Sequence, residues 1–82
     1  MRKVAPERMM VEVFKTNVAS KENAKLLIDE IQREFKDYRA SFDLEDSDRV
    51  LVVRSFFGDI NSYRIINLLY RLGYDAEVLP DQ

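Results

Sequence analysis

The side chains with chemical potential in this chain are few, and most carry oxygen. Asp43, Glu45, Asp46 and Asp48 lie within one short stretch. Carboxylates at that density suit a hard cation such as calcium or magnesium, which wants several oxygen ligands. Met9 and Met10 offer thioethers, the donors that soft Cu(I) accepts. Neither pattern amounts to a site. No glycine forms the tight loop of an EF-hand, and acidic residues between two hydrophobic runs are ordinary turn chemistry. Neighbours on a strand point to opposite faces, so the two sulfurs do not converge. The chain has no Cys and no His, which removes the thiolate nucleophile, the disulfide framework, the Cys-based metal site and the imidazole base. With no nucleophile elbow and no Gly-rich phosphate loop, no catalytic residue and no cofactor is assigned, and the sequence reads as a non-enzyme.

The elements that would position any site come from one domain. There are 82 residues, 46% of them hydrophobic and 34% charged, with a formal charge of −2. A chain this short builds one thin core, so a site must lie on the surface or in a shallow groove. The charge leaves no basic footprint for nucleic acid or an anionic bilayer, and neither partner is expected. No apolar run approaches a bilayer span, and Met1-Arg2-Lys3-Val4 does not open a signal peptide. The expectation is a cytoplasmic protein. Residues 1–8 read as a flexible lead-in and residues 9–82 as the single domain.

Met9 to Phe14 is rich in strand formers. Ser20 can cap a helix whose apolar positions are Ala24, Leu27, Ile28, Ile31 and Phe35. Tyr38, Ala40, Phe42 and Leu44 alternate with polar residues, predicting a strand with one wet face. Glu45 to Asp48 then turns the chain into Val50-Leu51-Val52-Val53, apolar on both faces as a central strand should be. Asn61 caps a second helix with a stripe of Ile65, Leu68, Leu69 and Leu72. Gly73 and Tyr74 supply a Schellman stop, and Ala76 to Leu79 forms a short last strand before Pro80. The order β-α-β-β-α-β predicts an α+β, ferredoxin-like sandwich: a four-stranded antiparallel sheet with two helices on one face. The right-handed crossover rule makes the first and third strands central.

Strand parity divides the sheet. The face under the helices is expected to take Val11, Val13, Tyr38, Ala40, Phe42, Leu44, Leu51, Val53, Ala76 and Val78. The open face is expected to take Met10, Glu12, Phe14, Arg39, Ser41, Asp43, Val50, Val52, Glu77 and Leu79. On it Met10, Phe14, Val50 and Val52 would form an apolar group on the central strands, the candidate interaction face for a protein partner or a second copy. Strand three has aliphatic residues where an RNA-recognition motif needs stacking aromatics.

Four segments carry a family likeness: Phe42-Asp43-Leu44-Glu45, Arg49-Val50-Leu51-Val52-Val53, Ile65-Ile66 with Leu69, and above all Leu72-Gly73-Tyr74-Asp75-Ala76-Glu77-Val78. Together they resemble the closing half of a heavy-metal-associated domain, the small copper-chaperone module. That resemblance implies a Met-x-Cys-x-x-Cys motif at the start of helix one, binding Cu(I) or another soft ion. At the matching positions this chain has Val18, Ser20 and Asn23. A hydroxyl and an amide are poor donors for a soft cation, so no metal ligand is assigned there. The implied function is a non-enzymatic module for protein interaction or self-association with a degenerate metal site. The alternative is a divergent metal-ion-binding or metallochaperone-type protein using oxygen or thioether ligands.

Overall fold

The computed structural model describes residues 9–80; the lead-in expected over residues 1–8 lies outside the described residues. The chain forms β1 (Met10–Thr16), α1 (Lys21–Glu34), β2 (Tyr38–Asp43), β3 (Val50–Ser55), α2 (Ser62–Arg71) and β4 (Ala76–Val78). The strands make one antiparallel sheet in the order β2-β3-β1-β4. This is the ferredoxin-like arrangement, with β3 and β1 central as the crossover rule requires.

Local signals set the helix ends. Ser20 Oγ accepts the Asn23 N–H at 3.0 Å, and Asn61 Oδ1 accepts the Arg64 N–H at 3.1 Å, each satisfying an orphan donor of a first turn. At the far end of α2 the Tyr74 N–H reaches Leu69 O at 2.8 Å and the Gly73 N–H reaches Tyr70 O at 3.0 Å. Gly73 has φ of 99°, so both bonds of the Schellman motif rest on a residue without Cβ.

One core joins Phe14, Val18, Ala24, Leu27, Ile31, Tyr38, Leu51, Val53, Ile65, Leu68 and Leu69. Tyr38 works at both its ends. Its ring stacks on Phe35 with centroids 4.9 Å apart, while its hydroxyl accepts the Asn61 N–H at 2.9 Å and donates to Asp59 O at 3.3 Å. The start of β2 is thereby fastened to the entry of α2, and the polar tip of a buried aromatic is satisfied.

The structure corrects the expected face of β1. Phe14 is fully buried, pairs with Leu51 and belongs to the core, so Met10, Glu12 and Phe14 lie on the helix side and Val11 and Val13 on the open side. The strand also runs on to Thr16. Thr16 must point inward, because its hydroxyl donates to Arg49 O at 2.6 Å and accepts the Val18 N–H at 3.1 Å. With Thr16 and Phe14 inward, alternation turns Val13 and Lys15 outward. On the other three strands the expected faces agree with the register.

Candidate interaction face and the loop after the first strand

The loop between β1 and α1 contains the three positions matched to the lost metal motif. Val18 is fully buried and belongs to the core. Ser20 uses its oxygen as the N-cap, and Asn23, half-buried in the first turn, supplies the N–H that the cap accepts. Beside them Asn17 Oδ1 accepts the Asp75 N–H at 2.9 Å and Asn17 Nδ2 donates to Asp75 Oδ2 at 3.4 Å, tying this loop to the one before β4. The segment is therefore a closed junction made of hydrogen bonds and one buried valine.

The acidic stretch also has local work. Asp43 Oδ1 accepts the Glu45 N–H at 3.2 Å, Asp46 Oδ1 accepts the Asp48 N–H at 2.8 Å, and Asp46 O accepts the Arg49 N–H at 2.9 Å. The first two are Asx-type turns and the third is the bond of a backbone β-turn. They deliver Arg49 at φ of 48°, the left-handed region that a side chain rarely occupies. Among the described residues no three of His, Cys, Asp and Glu gather where they could hold a metal ion.

The open face is best described from its register, because cross-strand partners share a face. Arg39, Arg54 and Val11 lie side by side across β2, β3 and β1. Next come Ser41, Val52 and Val13, and Leu79 extends this row because its N–H donates to Val13 O at 2.8 Å. In the third row Asp43 pairs with Val50 and Lys15 with Glu77. The middle of the face is thus apolar, one end carries two guanidinium groups and the other carries Asp43 and Glu77 about a single Lys15.

Of the four residues expected on this face, Val50 and Val52 are there. Val50 is only 9% exposed and Val52 half-buried, sheltered by their neighbours. Phe14 lies in the core, and Met10 shares the helix side at the end of β1. Val11, 44% exposed, and Val13 take their places. The signal for this was Lys15, one residue beyond the expected end of the strand, whose charge marks the odd positions as outward. Arg54 opposite Arg39 was also not assigned from sequence, although the hairpin register implies the pair.

The exposed edge of β2 is closed to strand addition at two points. The Ala40 N–H, directed away from β3, donates to Gln32 Oε1 at 3.0 Å, and the Tyr38 N–H donates to Phe35 O at 3.0 Å. Plugged edge donors keep a sheet from templating another chain. No family model, no curated protein and no solved structure matches this chain. No helix among the described residues is long and apolar enough to cross a membrane.

Proposed function

We propose that this chain is a ligand-free relative of the heavy-metal-associated domains, acting in the cytoplasm as a non-enzymatic interaction module through the open face of its sheet. The observation that carries the reading is the Val13–Val52 pair at the centre of that face, continued by Leu79 and flanked by charge at both ends. An apolar patch with a polar surround is the usual form of a contact surface. The loop that would hold a soft metal in the resembled family supports the same reading, since its Ser20 oxygen already serves the helix and Val18 packs inward.

Two measurements test this. A binding partner retained by the wild type and lost from Val13→Ser, Val52→Ser, with NMR shifts confined to the open face, supports it; partner sets that do not depend on these residues overturn it. Titration with Cu(I), Zn(II) and Cd(II) is expected to give no stoichiometric complex. Tight binding with shifts around Val18 to Asn23 would return the chain to metal carriage.

A further inference from the structure

The charges on the open face are arranged along the strands, and that arrangement selects a partner. Resting on the interaction reading above, we infer that the face is self-complementary and receives a second copy of this chain, related by a two-fold axis that lies between the sheets and runs across the strands.

Sheets commonly pack with their strands nearly aligned, and two closed two-fold arrangements bring two such faces together in that way. An axis parallel to the strands keeps each row against itself and reverses the strand order, so Asp43 would lie over the second copy's Glu77, and Val50 over Lys15. An axis across the strands keeps strand over like strand and reverses the rows. Arg39 then lies over Asp43 of the second copy, and Asp43 over its Arg39, so the symmetry makes the ion pair twice. Val52 meets Val52 and Val13 meets Val13 in the middle. The first arrangement opposes Asp43 and Glu77, whereas the second pairs Arg39 with Asp43 and sets Arg54 over Val50 and Lys15 over Val11, which favours the second.

A further observation points the same way. Arg39 and Arg54 are directly opposite on neighbouring strands, a like-charge pair that an isolated sheet gains nothing from. Arg39 Nη1 donates to the carbonyls of Lys36 and Tyr38, at 3.1 and 2.8 Å. Among the described residues the ion pair within 4.0 Å is Arg33–Glu30, on α1. The open-face charges thus have no carboxylate or cation among the described residues at ion-pair distance. Association by the β2 edge is disfavoured by the Gln32 plug.

Four strands about 4.8 Å apart and five residues rising about 3.4 Å each give a footprint on the order of 300 Å² per copy. That is below the roughly 800 Å² per partner of a standard stable interface, so the pairing is weak and reversible.

Sedimentation equilibrium of the full chain tests the inference up to about 1 mM, where a complex this small becomes populated. The wild type is expected to show a monomer–dimer equilibrium. Arg39→Glu alone sets carboxylate over carboxylate, and Asp43→Arg alone sets guanidinium over guanidinium; each is expected to weaken self-association about tenfold or more. An equimolar mixture of the two variants restores both pairs and is expected to recover the wild-type affinity as a heterodimer. Unfolding midpoints of each variant verify that the fold is kept. A wild type that stays monomeric throughout, or a mixture no tighter than its components, overturns the inference. Cross-relaxation from residues 1–8 to Val13 and Val52 within a strict monomer overturns it as well, by naming another occupant. If the chain is monomeric yet partner capture still depends on Val13 and Val52, the self-pairing fails while the interaction reading stands. Loss of both removes the two together.

Discussion

Asn17 and Asp75 hold each other across 58 positions of sequence, the Asp75 N–H donating to Asn17 Oδ1 at 2.9 Å. One side chain therefore joins the exit of β1 to the entry of β4, the shortest strand. Removing it with Asn17→Ala is expected to lower stability by about 0.5–1 kcal/mol, the low end of the net value of such a bond, because both residues are exposed. Hydrogen exchange should show the loss mainly in β4, with the β2–β3 hairpin unchanged.

Thr16 tests a buried network. Its hydroxyl serves two backbone groups, Arg49 O and the Val18 N–H, and the residue is 7% exposed. Thr16→Val keeps the shape and strands both partners, so a loss of about 1–3 kcal/mol is expected in urea denaturation. Thr16→Ser keeps the hydroxyl and should recover most of it.

Arg49 sits in left-handed backbone at φ of 48° and is the non-glycine residue with positive φ among those described. A β-branched side chain suffers most there, so Arg49→Val is expected to destabilise by about 1–2 kcal/mol. Arg49→Gly removes the strain but loosens the unfolded chain, leaving stability unchanged or up to about 1 kcal/mol higher. Equality of the two variants in thermal unfolding would show that the turn re-forms differently.

Gln32 guards the edge of the sheet. Gln32→Leu frees the Ala40 N–H on β2 and is expected to raise the aggregation rate on heating, with a stability loss of about 1 kcal/mol. Light scattering at matched fractions unfolded separates the two effects. Aggregation that tracks stability alone would mean that the plug has no protective role.

What the sequence disclosed follows from where its signals were single-valued. Ser20, Asn61 and Gly73 each have one physical use at a helix end, and all three have that use in the structure. β2 alternates cleanly, so its inward set of Tyr38, Ala40 and Phe42 could be read directly. β1 is central and apolar on both sides, so alternation gave its parity but not its direction. Direction is fixed by Thr16, whose inward hydroxyl bonds Arg49 O across 33 positions as well as the Val18 N–H; its one local trace is the charge of Lys15, just beyond the expected end of the strand. The candidate face inherited the ambiguity: the β3 residues Val50 and Val52 were legible, whereas Phe14 and Val13 exchanged places. The second role of Tyr38, holding the Asn61 N–H, was likewise invisible until two distant segments met.

The strand order has a consequence for how the chain acquires its shape. β1 and β2, the two strands of the first half, are not neighbours; β3 lies between them and pairs with both. The segment from β1 to β2 can thus form its helix but close no ladder of its own. During synthesis it must wait for β3 to emerge, and β1 waits again for β4. Such delayed, long-range closure slows folding relative to a chain built from successive hairpins. It also means that a protein cut in the β2–β3 turn would yield two pieces, each lacking its sheet partners, that become structured only by finding one another.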